Sequence, residues 1–177
     1  MAATAQVILV DSDDKPAGIA DKLAAHREGL CHRAFSVFIF DSQNPNRLLL
    51  QQRAMGKYHS EGLWTNACCS HPGPEEDVLS AGQRRLREEM GIVTPLRTAG
   101  RFHYVAHFAN GLTENEIDHV LTGTFDPACP LYPDPLEVQA FRWVDLQTLK
   151  AELQTAKDSF TCWFEQALLV ALCAGKT

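Results

Sequence analysis

The sequence predicts a single mixed α/β (α+β) domain, and three observations carry that reading. Apolar runs of strand character alternate with helical stretches from one end of the chain to the other. No repeat, low-complexity segment or linker interrupts them. The 177 residues suffice for one well-buried core and are few for two domains, so 1–177 is read as one unit.

Val7-Ile-Leu-Val10 is a short strand, and Asp11 to Gly18 has the composition of a turn. Asp21 to His26 reads as a brief helix. Arg33-Ala-Phe-Ser-Val-Phe-Ile-Phe40 is a strong strand, with Leu48 to Arg53 its hairpin partner across Asn44-Pro-Asn46. A long loop, Ala54 to Trp64, carries Lys57, Tyr58 and His59. A helix is expected from about Pro74, with Glu75, Glu76 and Asp77 favourably placed in its first turn and Gly91 stopping it. Phe102 to Phe108 and Ile117 to Phe125 are strands on either side of Asn110-Gly111, a common hairpin turn pair. After a proline-rich loop, Val138 to Val144 is another strand and two helices finish the chain. The last, Cys162 to Cys173, is apolar almost all round and is expected to be buried.

Composition excludes several classes. Hydrophobic content of 45% and charged content of 21% are those of an ordinary globular protein. A net charge of -6 without a basic tail or stripe argues against a nucleic-acid binder. No apolar run reaches bilayer-spanning length, and Met-Ala-Ala-Thr-Ala-Gln lacks the features of a secretion signal. The six cysteines follow no framework spacing and are read as reduced thiols of a cytoplasmic protein.

The densest chemistry lies in Asn66-Ala-Cys-Cys-Ser-His-Pro72 and the charged helix after it. Cys69 and His71 are two apart, so in extended backbone they leave one face, and Cys68 points the other way. Glu75 and Glu89, fourteen apart, would share a helix face, with Arg85 beside Glu89. His26, His32 and His71 with the alternating pair Glu114 and Glu116 supply three imidazoles and two carboxylates. That set can complete a six-coordinate site for Mn²⁺ or Mg²⁺, and its imidazoles also admit Zn²⁺. The other histidines, 59, 103, 107 and 119, fit no such pattern and are read as structural. Taken singly, each of these residues is more often an ordinary core or surface group.

The segment of about 70–92 resembles the Nudix box, whose pattern is matched at Glu76, Arg84, Leu86, Glu88, Glu89, Gly91 and Ile92. Ser70 stands at the opening glycine, and Arg85 replaces the first glutamate of the second cluster. An arginine there suits holding a diphosphate better than cutting one. The whole chain resembles the type I isopentenyl-diphosphate delta-isomerases, a Nudix-fold family of isoprenoid biosynthesis. The likeness rests on Lys22-Leu-Ala-Ala-His26, His32-Arg-Ala-Phe-Ser36, Trp64-Thr-Asn-Ala-Cys-Cys-Ser-His-Pro72, Arg84 to Ile92, Glu114-Asn-Glu116 and Phe160-Thr-Cys-Trp163.

The resemblance implies a Nudix-type mixed sheet sandwiched between helices and the interconversion of isopentenyl and dimethylallyl diphosphate. It implies that Glu116 with Tyr104 delivers a proton, that Cys69 takes the C2 proton, and that Trp163 faces the cation formed between. It implies a Mn²⁺, Zn²⁺ or Mg²⁺ on His26, His32, His71, Glu114 and Glu116. A Mg²⁺ would bridge Glu89 and the diphosphate, whose oxygens would pair with Lys22, Arg53, Lys57 and Arg85. The expected partner is the small-molecule substrate, with no nucleic acid and no membrane, in a monomer or weak dimer. The principal competing reading is a Nudix hydrolase of a nucleoside diphosphate derivative, which gives Cys69 no role. A structural zinc module lacks a Cys-x-x-Cys pair, and a thiol protease lacks nucleophile-base spacing and an oxyanion hole.

Overall fold

The computed structural model describes residues 5–174, so the first four and last three residues of the 1–177 span lie outside the described residues. The elements are β1 (Gln6–Val10), β2 (Pro16–Asp21), α1 (Lys22–Glu28), β3 (His32–Asp41), β4 (Arg47–Arg53), β5 (Trp64–Thr65) and β6 (Cys68–Ser70). There follow α2 (Val78–Met90), β7 (Arg97–His107), β8 (Thr113–Phe125), β9 (Val138–Asp145), α3 (Leu146–Thr155), a 3-10 turn (Lys157–Ser159) and α4 (Phe164–Cys173).

All the described strands join one mixed sheet organised around β3. Parallel β8 follows β3 along its whole length, from His32 opposite Glu116 to Asp41 opposite Phe125. The other edge of β3 is shared by three antiparallel partners in turn: β1 at His32, β6 at residues 35–37 and β4 at Phe40. β6 and β8 thus flank β3 on opposite edges.

Period-two alternation divides β3 between two layers. Phe35, Val37 and Ile39 face α2 in a core with Leu49, Cys68, Ala81, Leu86, Met90 and Leu121. Phe38 faces α4 in a second core with Leu48, Leu50, Val120, Phe164 and Leu168. The helices therefore sandwich the sheet, as expected. Truncating a fully buried leucine such as Leu86 to alanine would cost about 2–5 kcal/mol. The face that carries Phe38 changes character midway: its earlier positions are His32, Ala34 and Ser36 on β3, and Glu114, Glu116 and Asp118 on β8. Those polar residues are buried but stand clear of the apolar half.

Three expectations need correction. Pro16 to Asp21 is a strand paired with β1, not part of a turn. Helix α2 begins at Val78, because the Asp77 side chain caps it by accepting from the Ser80 amide. Glu75 and Glu76 precede the helix, so the shared helix face of Glu75 and Glu89 does not exist. The last helix begins at Phe164 and is buried on one side only, with Leu169 60% exposed. No described helix is long and apolar enough to cross a membrane.

Candidate active site

One cavity collects every residue to which the resemblance gives a role except His26 and His32, which lie fully buried. The strand register explains the convergence. Cys69 pairs with Ser36 and shares its face, and Cys68 pairs with Val37 and enters the α2 core. Glu116 pairs with His32 on the other edge of β3 and with Tyr104 on β7. Cys69 and Glu116 therefore reach one cavity from strands on opposite sides of β3.

The histidine cluster is held by backbone. His26 Nδ1 lies 2.6 Å from the Lys22 carbonyl and His32 Nδ1 lies 2.8 Å from the Leu30 carbonyl. Each Nδ1–H donates to its carbonyl, which leaves both Nε2 atoms as lone-pair donors. His32 Nε2 is 3.2 Å from His71 Nε2 and 3.2 Å from Glu116 Oε1, and His71 Nε2 is 2.8 Å from that same oxygen. His26 Nε2 is buried without a hydrogen-bond partner. Donor atoms of His26, His32, His71 and Glu116 all lie within 4.8 Å of one another. Inward-facing imidazoles beside a carboxylate, one with an orphaned nitrogen, fit a divalent cation.

Electrostatics suit that fit at His26, His71 and Glu116, and His32 departs from it. Burial lowers His26, and it holds the His71 imidazole down to about 3 with help from the Lys22 ammonium. Burial also opposes charge on His32, but its contacts with Glu116 outweigh this and raise it. Burial opposes ionisation of Glu116 too, yet contacts with His32 and His71 hold its carboxyl well below the usual range. The Tyr104 hydroxyl donates to Glu116 Oε2 at 2.6 Å and also contacts Glu114 Oε2. Burial and those carboxylates keep it a neutral phenol. Glu114 Oε1 lies 3.9 Å from His26 Nε2, so the second expected carboxylate borders the cluster.

Cys69 is in direct contact with a cation. Arg53 Nη1 donates to its sulfur at 3.8 Å, and the guanidinium lies 5.6 Å from the Trp163 ring centre. Burial pushes the Cys69 thiol up to about 12, with Arg53 acting against it. Trp163 is buried immediately before α4, donates from Nε1 to Asn66 Oδ1 at 3.3 Å, and stands 6.4 Å from the Tyr104 ring. Asn66 in turn donates to the Cys68 and Val37 carbonyls at 2.6 and 3.2 Å. The Trp64-Thr-Asn segment thus ties the cysteine strand to the tryptophan.

At the other end of the cavity, buried Glu89 accepts from Arg85 at 2.7 Å and from Gln51 at 3.1 Å. Burial raises its carboxyl despite both contacts. Lys57 pairs with Glu137, and Arg85 reaches Glu137 at 3.4 Å. Lys22 is half-buried at the start of α1, 5.0 Å from the Tyr58 ring centre. Two other carboxylates of the 70–92 box are paired at the surface: Glu76 with Arg84 at 2.7 Å, and Glu88 with Arg85 at 2.7 Å.

A NUDIX-domain profile matches residues 31–164. A protein of Burkholderia multivorans named isopentenyl-diphosphate Delta-isomerase is 51% identical over 90% of this chain and 88% of its own length. Another of that name from Aromatoleum aromaticum is 50% identical over 92% and 90%. The chain belongs to the isopentenyl-diphosphate Delta-isomerases of the Nudix family. Two solved structures share the fold at lower sequence identity. One from Deinococcus radiodurans superposes with a TM-score of 0.72 at 17% identity, covering 95% of this chain and 98% of that one. A MutT protein of Methanosarcina mazei gives 0.64 at 17%, covering 83% and 96%. These likenesses show the fold.

Sequence reasoning missed four residues that border the cavity. Asp118 follows Glu116 by two, so strand alternation already places it on the same face; it accepts from Ser36 Oγ at 2.8 Å. Gln51 and Glu137 carry no local signal, since only the tertiary fold brings them to α2. His59 was read as structural, yet its Nε2 lies 2.7 Å from Glu114 Oε1, and it forms a second potential ligand group with His26 and Glu114.

Proposed function

We propose that this chain interconverts isopentenyl and dimethylallyl diphosphate, using Cys69 and the Glu116–Tyr104 pair as its proton-transfer groups. The observation that carries the assignment is their arrival in one cavity from opposite edges of β3. In the forward direction Glu116, linked to Tyr104, gives a proton to the terminal alkene carbon, and a tertiary carbocation forms. The C2 proton then passes to Cys69, which accepts it as a thiolate, and the new double bond closes. The reverse direction exchanges the roles, and it starts from a Cys69 thiol and a Glu116 carboxylate, the states favoured by the substrate-free surroundings. An alkene is a weak base and the cation is quenched by water, so both groups must be close and the site dry. Trp163 and Tyr104 present aromatic faces to the cation, an attraction of about 0.5–2 kcal/mol for each suitably placed ring.

A Mn²⁺, Zn²⁺ or Mg²⁺ at His26, His32, His71, Glu114 and Glu116 would fix the Glu116 carboxylate and tune its acidity. Mg²⁺ with Glu89 would meet the diphosphate, and Lys22, Arg53, Lys57 and Arg85 would pair with its oxygens. Because Lys57 and Arg85 are now paired with Glu137 and Glu89, the diphosphate must compete for them. The same reading takes the chain as a cytoplasmic enzyme of isoprenoid biosynthesis, a monomer or weak dimer. A nucleoside diphosphate hydrolase would want several box carboxylates free for cations, and here Glu76 and Glu88 are tied to arginines.

Steady-state turnover of Cys69→Ala and Cys69→Ser tests the assignment. Both should lose about three orders of magnitude or more in kcat, as when a proton-transfer group is removed, with an unchanged circular dichroism spectrum. Activity within a fewfold of the native chain would refute a role for Cys69.

A further inference from the structure

We infer that His59 is a metal ligand, in a group with His26 and Glu114 that shares His26 with the His26, His32, His71 and Glu116 group. The inference rests on the metal centre proposed above. Glu114 Oε1 stands 2.7 Å from His59 Nε2 and 3.9 Å from His26 Nε2, and the three donor atoms fall within 4.8 Å of one another. Adjacent ligands about 2.1 Å from one ion stand about 3 Å apart, so an ion that takes His26 and Glu114 has His59 within reach. His26 Nε2 and His59 Nε2 are both buried without an aligned hydrogen-bond partner, although His59 is only 6% exposed and touches a carboxylate. The orphaned His26 nitrogen at that depth is costly unless a cation claims its lone pair. A cation there would also be claimed by His59 Nε2 and the Glu114 carboxylate that faces it.

The ring is also held ready. It stacks on Phe108 at 4.6 Å and 10°, and Tyr58 packs edge-on at 4.3 Å. Ser60 Oγ lies 3.2 Å from Nδ1, so a proton held on Nδ1 and donated there leaves Nε2 as the inward donor. The loop that carries His59 is closed by Arg53, whose amide donates to the Leu63 carbonyl at 2.9 Å and whose Nη2 donates to the His59 carbonyl at 3.2 Å. A free loop would lose more entropy on ligating an ion than this one does.

The test is a titration of the metal-free full chain with Co²⁺ and Zn²⁺ against a competing chelator, recording the Co²⁺ absorption spectrum. Native protein should bind, and His59→Gln should bind about tenfold or more weakly with altered cobalt bands. His59→Cys is the second probe, since a sulfur ligand adds thiolate-to-cobalt charge-transfer absorption over the native spectrum, and it decides the matter if His59→Gln fails to fold. Native affinity and an unchanged cobalt spectrum in His59→Gln, or no new charge-transfer band in His59→Cys, would overturn the role of His59 while leaving the metal centre standing. A native chain that binds neither ion would overturn both.

Discussion

Adjacent cysteines have opposite fates here, and a period of two decides them. Cys69 shares the face of Ser36 and opens on the cavity, whereas Cys68 is fully buried with Val37 and Leu86. Cys68→Ser should keep turnover within a few-fold of native while losing about 1–3 kcal/mol in urea denaturation, since it replaces a fully buried thiol beside Val37 and Leu86 with a hydroxyl. If Cys68→Ser abolishes turnover instead, the two sulfurs have exchanged roles. Glu116→Gln keeps an oxygen donor but removes the ionisable group, so turnover should fail even where metal analysis finds a full complement. Turnover in metal-replete Glu116→Gln would move proton transfer elsewhere. The Cys69, His71, Glu114 and Glu116 faces were legible because strand alternation is strict. His59 was not, because a loop residue has no period, and only the fold of residues 54–63 brings it to Glu114.

The charged helix shows what an element reveals and conceals. Gly91 was legible as its stop: it caps α2 at φ 69°, and a Cβ there would lie 3.0 Å from the Tyr132 carbonyl oxygen. Gly91→Ala combines left-handed strain with that contact, and should cost about 1–3 kcal/mol by thermal or urea denaturation. A loss of only a few tenths would mean the cap relaxes freely. The helix start was misread because Pro74 and three acidic residues look like a first turn, while Asp77 alone makes the capping bond. β2 was hidden in the same way, since Pro16-Ala-Gly18 has turn composition but the edge of β1 imposes strand geometry.

Across the whole molecule, the mixed sheet between helices was legible from the alternation of elements, and the strand order was not. The β3–β8 pairing joins segments far apart in sequence, and no local pattern reports it. Asp14 is one of the long-range ties that fix this arrangement: it pairs with Arg33 of β3 at 2.7 Å, His119 of β8 at 2.8 Å and Arg101 of β7 at 2.9 Å. Burial raises its carboxyl, but Arg33 and His119 outweigh that and hold it below its ordinary value. A depressed folded value means stability present above the ordinary value of about 3.9 and lost as pH falls through the folded one. Asp14→Asn tolerates the backbone φ of 68° and should lose about 1–3 kcal/mol at pH 7. Urea denaturation should show the gap closing as pH falls below about 4. A gap independent of pH would assign the effect to packing.

Proton NMR of the native chain with isopentenyl diphosphate and Mg²⁺ in deuterated water tests the central claim most directly. The predicted product is dimethylallyl diphosphate carrying solvent deuterium in the methyl group made by protonation, with no release of phosphate. Unchanged substrate in metal-replete protein, or phosphate release without a shifted double bond, would contradict the isomerase assignment.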